Sequence, residues 1–209
     1  MPITIARDVF TGGSNTQDLK AAMISGVSEY PLGRRIAVFG KGGKTTLSKA
    51  LAERFDLAFI EQDAIRHQAD WVELSIEEHR EILISRFDQS EAGWVSDGNY
   101  SGVRDLVYER VETVIVLALP WRVMLWRTFK RTVRRFVTRE VLWNGNRESV
   151  WTSFFSRDSV IYDLYRRRDK FLSEAEKTEA ELPDHIRLVI VRSARELDEL
   201  YARLGLVRW

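Results

Sequence analysis

Two periods alternate along the chain. Short apolar runs bounded by glycine, proline or acidic residues read as strands, and between them apolar residues return every three or four positions, as on one face of a helix. "IAVF" (Ile36 to Phe39) is wholly apolar and ends at glycine, as a strand buried on both faces should. "LAFIEQD" (Leu57 to Asp63) reads as a second strand ending in a carboxylate, and "GWVSDGNY" (Gly93 to Tyr100) as a third. "VETVIVLALP" (Val111 to Pro120) is a fourth, stopped by proline, and "HIRLVIVRS" (His185 to Ser193) a fifth. The helix after the first strand carries Leu47, Ala50 and Leu51 on one face. In "SIEEHREILISRF", Ser75 and Glu78 are spaced as a capping box. Long helices are expected between strands four and five, and "ARELDELYARLGL" follows the last strand as a helix.

Alternation of this kind predicts an α/β fold, a parallel sheet of five strands with helices on both faces. Residues 1–33 stand apart, with a short helix expected behind Asn15 and a break at "YPLG", and they read as a docking arm or an extension. The domain proper is expected over 34–209, with a helical insertion at about 121–182.

Composition narrows the function without naming it. The chain has 209 residues, 44% of them hydrophobic, enough for one well-buried domain. Its 32 basic and 31 acidic residues leave a net charge of +1, which argues globally for neither nucleic acid nor a membrane surface. No apolar run reaches the roughly 18 to 20 residues that span a bilayer, and "MPITIARDVFTGG" lacks a basic region followed by an apolar one. A cytoplasmic location is therefore expected, and the absence of cysteine fits a reducing compartment. His67, His79 and His185 show no ligand spacing.

Candidate chemistry centres on "GKGGKTT". An apolar strand, a glycine turn and a helix opening with Lys44, Thr45 and Thr46 bring backbone N–H groups and a positive helix end to one point, an anion site. Gly40, Lys41, Gly42 and Gly43 would cradle phosphate, Lys44 would neutralise its outer oxygens, and the Thr45 hydroxyl would ligate magnesium. The stretch is two residues shorter than G-x-x-x-x-G-K-[ST], a loss of up to about 7 Å of contour. Either Gly40 ends the strand and the loop is short, the preferred register, or Val38 stands at the first glycine position. Between Trp121 and Arg139 the chain carries Arg122, Arg127, Lys130, Arg131, Arg134, Arg135 and Arg139 with no acid. On a helix Arg127, Arg131 and Arg135 share one face, and Leu125, Phe129 and Val133 a second; Trp126, Trp143 and Trp151 are expected in the core. That basic face could cover phosphates, pair with acids such as those of "SEAEKTEAE", or meet nucleic acid. Arg104 could bind acceptor or phosphate, or pair with Asp105 or Glu109. In "WNGNRES", Arg147 could reach phosphate, and Asn144 or Asn146 could close a turn or cap the next helix.

Taken together, "GKGGKTTLSKALAERF", "FIEQDAI", "WVSDGNYSGVRD", "VIVLALPW", "RTFKRTVRRFVTREVLWNGNRES" and the closing strand resemble the adenylate-kinase-like P-loop kinases. The chain is similar in particular to the bacterial topology-modulation or flagellar-regulator-like ATP-binding proteins, over roughly Arg34 to Leu206. The resemblance implies the sheet order 2-3-1-4-5, and ATP with magnesium as ligands. It implies that Asp97 stands near a magnesium-bound water, that Asp63 meets the phosphoryl acceptor, and that the arginine helix is a lid. The expected activity is transfer of the terminal phosphoryl group of ATP to a small acceptor, a nucleotide or a small alcohol. The alternative is a nucleotide-binding regulatory protein with little catalysis, meeting nucleic acid or a protein through residues 121–139. Oligomeric state is left open.

Overall fold

The structure is a computed structural model, and it describes residues 4–7, 32–138, 141–146 and 173–208. The helix expected behind Asn15, Trp151, Arg139 and Arg147 lie outside the described residues.

Five parallel strands form the centre: β2 (Arg35–Gly40), β3 (Ala58–Glu61), β4 (Trp94–Asp97), β5 (Thr113–Leu117) and β6 (Arg187–Val191). Counted among themselves they stand in the order 2-3-1-4-5, as the resemblance implied. A further strand, β1 (Thr4–Arg7), adds antiparallel to the edge of β6, so the whole sheet reads β1-β6-β5-β2-β4-β3. The extension expected to lie apart thus contributes one edge of the same sheet.

Except for β2, which extends one residue past its apolar run at each end, the central strands are shorter than their runs suggested, because the flanking residues turn or cap. Asp63, read as the end of a strand, lies instead in the first turn of α2 (Gln62–Arg66). The remaining helices are α1 (Lys44–Phe55), α3 (Ile76–Asp88), α4 (Arg104–Arg110), α5 (Trp121–Thr138), α6 (Glu174–Glu181) and α7 (Ala194–Leu204). The capping box forms as expected: Ser75 Oγ accepts from the Glu78 amide while Glu78 accepts from the Ser75 amide. Of the long helices expected between strands four and five, the described residues contain the 18-residue α5 and the short α6.

Alternation along β2 sends Ile36 and Val38 to one face, where Leu47, Leu51, Leu197 and Leu200 of α1 and α7 meet them. Ala37 and Phe39 face the other way, toward Leu83, Phe87, Leu106 and Val107 of α3 and α4. Phe87 stacks on the fully buried Trp94 with centroids 4.2 Å apart. Burying apolar side chains on both faces is worth about 1.5–3 kcal/mol for each large one, and it fixes β2 between β4 and β5. At that position the strand order reverses, and in open α/β sheets ligands bind beyond the carboxyl ends there.

Glu112 anchors the opposite, amino end of β2. Its Oε2 accepts the backbone N–H groups of Arg34 (2.6 Å) and Arg35 (3.0 Å), and its Oε1 pairs with the Arg35 guanidinium at 2.9 Å. Burial pushes against its charge, but those hydrogen bonds outweigh it and hold the carboxyl below its ordinary value of 4.5. A depressed carboxylate stabilises the fold above its unfolded value and loses that contribution as pH falls through the folded one. Thermal unfolding of Glu112→Ala at neutral pH should show a loss of about 1–3 kcal/mol. The difference from the parent should shrink as the pH is lowered below 4.5.

Candidate phosphate site

Strand β2 runs through Gly40, which pairs with Leu117 in the ladder, and α1 begins at Lys44. Only Lys41, Gly42 and Gly43 connect them, so the chain takes the shortened-loop register with Val38 inside the strand. Glycine is required at two of these positions. Gly40 has φ +98°, and a Cβ there would fall 2.3 Å from the Leu117 carbonyl oxygen. Gly43 has φ +144°, and a Cβ would meet the Arg127 guanidinium at 3.1 Å. As the N-cap of α1, Gly43 supplies no side-chain acceptor and the first turn holds no acid, so no carboxylate competes for its amides.

Lys44 and Thr45 converge on one carboxylate. Lys44 Nζ stands 3.1 Å from Asp97 Oδ1, and the Thr45 hydroxyl donates to Asp97 Oδ2 at 2.6 Å. Asp97 is fully buried at the end of β4, level with Val38 on one side and Glu61 on the other. Burial disfavours the Lys44 charge, but Asp97, then Asp63 and Glu61, outweigh it and raise the ammonium above its ordinary value of 10.5. Thr46 is exposed on the same turn.

Helix α5 closes over the loop from the far side. Arg127 donates to the Gly42 carbonyl at 2.8 Å, while Met124 packs against Gly42, where an added Cβ would meet its Cα at 3.2 Å. Arg131 and Arg135 continue the Arg127 face, about 6 and 12 Å further along the axis at the α-helical rise. The structure therefore brings one of the three nominated arginines to the loop. The second face is core only at Leu125: Phe129 and Val133 are exposed, and Trp126, expected inside, is 55% exposed and stacked on Phe129. Buried positions on α5 are Met124, Thr128 and Thr132. A sequence rule that places tryptophan inside misses this because Trp126 and Phe129, three apart, satisfy each other on the surface.

Asp63 accepts a 2.6 Å hydrogen bond from the Tyr100 hydroxyl. Arg104 donates to Asn99 Oδ1 and pairs with Glu181, both at 2.9 Å; the alternatives of Asp105 and Glu109 are taken by Arg80 and Arg110. Phosphate or acceptor would have to compete with those partners. Glu181 and Glu174 of α6 thus meet Arg104 and Asn99.

Two residues near this site, Glu61 and Tyr100, escaped the sequence reading, and Trp143, expected in the core, is only half-buried. Glu61 pairs in register with Asp97, and burial, partly offset by the Trp143 indole, holds its carboxyl above its ordinary value. Trp143 sits in a turn after α5, and the helix that Asn146 was expected to cap lies outside the described residues. Asn144 donates to the His67 carbonyl (2.6 Å) and Asn146 to the Gln68 carbonyl (2.7 Å), clasping the segment after α2.

The donor set suits magnesium. A hydroxyl and a buried carboxylate, both hard oxygen ligands, lie together at the head of α1, and that ion keeps several waters and draws further oxygens from phosphate. Among the described residues no helix is long and apolar enough to cross a membrane.

Neither a protein-family model nor a curated protein matches the chain. Among solved structures, the crystal structure of a gluconokinase from Sinorhizobium meliloti 1021 is similar at 19% identity, covering 81% of this chain and 88% of that one with a TM-score of 0.49. At that identity and score the likeness carries no argument about activity.

Burial at Lys44 is outweighed by Asp97 together with Asp63 and Glu61, and Asp97 is the largest of these partners, so its removal should tip the balance toward the neutral amine. In Asp97→Asn the Lys44 ammonium, followed by NMR titration of its side-chain nitrogen, should lose its proton at lower pH than in the parent. In the parent the pair stabilises fully below the unfolded lysine value and fades as pH rises through the raised one. An unchanged titration would show that the pair does not govern Lys44.

Proposed function

We propose that the chain binds ATP with magnesium at the Gly40–Thr46 turn and transfers the terminal phosphoryl group to a small acceptor. The observation that carries this reading is the convergence of Lys44, Thr45 and Asp97 beneath an uncapped helix start. Lys44 and the first-turn amides bind the phosphate oxygens, Lys44 exchanging part of its contact with Asp97 for them. Thr45 and Asp97 would hold the metal, and the ion, when bound, would supply charge neutralisation of the phosphate oxygens. Arg127 covers the loop, and Arg131 and Arg135 extend the same charge along α5. Asp63 faces the acceptor, with Arg104 and Arg147 as further contacts. Positioning and charge stabilisation suffice, with no covalent enzyme intermediate.

A second reading, nucleotide binding with little turnover and α5 as a contact surface, draws on a different observation. Trp126 and Phe129 are exposed and stacked, with the Lys130 ammonium 4.9 Å from the Trp126 ring centre, a basic and aromatic surface of the kind that meets nucleic acid. Binding to RNA or DNA that falls steeply with salt and weakens in Arg131→Gln would favour it.

Calorimetric titration with Mg-ATP tests the main reading. The parent should bind saturably at or below millimolar concentration, and Lys44→Ala should bind about tenfold to a hundredfold more weakly, the loss of one charge-assisted contact. No binding by the parent at millimolar ATP would overturn the proposal. Inserting two small residues between Gly42 and Gly43 should tighten ATP binding by restoring the span of a full phosphate loop. Unchanged or weaker binding would mean that the three-residue turn is already the competent form.

A further inference from the structure

A second group of side chains gathers beyond the carboxyl ends of β3 and β4. Tyr100 engages one oxygen of Asp63, and burial, then the Asp63 carboxylate, push the phenol above its ordinary value, so it stays a donor. Among the described residues the other Asp63 oxygen accepts no hydrogen bond, and so can receive a hydroxyl. His79, 2% exposed, packs edge-on against Tyr100 with centroids 5.3 Å apart, and its Nε2 is buried with no hydrogen-bond partner. Burial, then the Arg66 charge, hold His79 below its ordinary value, so the ring brings no positive charge.

Among the described residues, the guanidinium groups on this side already have carboxylates. Arg66 pairs with Glu73 at 2.7 Å and also donates to the Leu74 carbonyl; Arg80 grips both oxygens of Asp105 at 2.7 Å; Arg104 pairs with Glu181 at 2.9 Å. Lys49 stands over the Phe59 ring, 5.4 Å from its centre. Glu61 stands in register with Asp97, the partner of Lys44, and Asp63 follows it in the first turn of α2. Three rings gather past the end of α2: His67 stacks on Trp143 at 5.9 Å, and Trp71, 42% exposed, stands edge-on to both.

An anionic acceptor would therefore approach two carboxylates among already matched cations. We infer that the acceptor is an uncharged or cationic hydroxyl compound, a polyol or amino alcohol, received by Asp63 and bordered by the rings of Trp71 and Trp143, and that nucleoside monophosphates are disfavoured. Aromatic faces beside carboxylates suit a polyol's C–H surface or an ammonium group. In the step itself the acceptor oxygen bonds to the terminal phosphorus as the bond from that phosphorus to the bridging oxygen breaks. The hydroxyl proton passes to Asp63, and ADP leaves with the electron pair of the broken bond.

The inference rests on the kinase reading, and its test separates the two. Binding of Mg-ATP is measured first; a chain that binds none sinks the kinase reading and this inference with it. The ATP-binding chain is then given terminally labelled ATP with glycerol, ribitol and ethanolamine in one arm and AMP, dTMP and ribose 5-phosphate in the other. Label in the first arm is expected, and label transferred preferentially to the phosphate-bearing arm overturns the inference while leaving the kinase reading intact. If neither arm is labelled, affinity decides. With a non-hydrolysable ATP analogue and magnesium present, AMP should bind about fivefold to tenfold more tightly to Glu61→Gln than to the parent, since one repelling charge is gone. Unchanged or weaker AMP binding in that variant overturns the inference.

Discussion

One buried carboxylate organises this protein's carboxyl-end face. Asp97 is held at the end of a strand buried on both faces, and such a charge persists inside only if it is paired. Its two partners, Lys44 and Thr45, are consecutive residues at the head of α1, so satisfying Asp97 also fixes where that helix starts and how its amides point. Removing one partner of a buried pair typically costs about 3–5 kcal/mol, because the other charge is left uncompensated. The sheet order places this carboxylate at the point where the strands reverse direction of succession. Structure and chemistry therefore share the same three side chains.

The three-residue turn above that pair is shaped by its surroundings as much as by its own sequence. Gly40 gives way to the Leu117 carbonyl, Gly42 to Met124, and Gly43 to the Arg127 guanidinium, and each does so with positive φ. A turn this short is close to the packed surfaces of β5 and α5, and Arg127 fastens it to α5 through the Gly42 carbonyl. Loop and arginine helix are thus coupled, and any rearrangement that opened the loop would have to release this contact. On the other side, the Asn144 and Asn146 clasp ties the turn after α5 to the segment after α2. The span from α5 to Asn146 therefore touches the glycine turn near its start and the segment after α2 near its end.

What was legible in the sequence follows from how local the determining physics is. The buried runs of β2 and β5, the capping box of Ser75 and the short glycine turn are set by neighbours in the chain, and they read directly. The order of the five parallel strands came from the family resemblance; periodicity alone could not give it. The strand added by Thr4–Arg7 was missed because its partner, β6, lies some 180 residues away and four residues carry too little pattern of their own. Asp63 was nominated from the strand it was thought to end, yet it belongs to a helix, since Gln62 is buried against Ser96 and turns the chain early. Trp126 was misplaced because its packing partner lies on the surface, and Glu61 was overlooked because only the β3–β4 register sets it beside Asp97.

The central claim is that the head of α1, with Lys44 and Thr45 gathered on Asp97, is where a nucleotide's phosphates lie. Amide NMR during titration with Mg-ATP tests it residue by residue. The account predicts that the signals of Gly42 to Thr46 move furthest and saturably, and that the same residues stay still in Lys44→Ala at equal ATP concentration. Saturable shifts confined to other parts of the chain, with Gly42 to Thr46 unmoved, would contradict it.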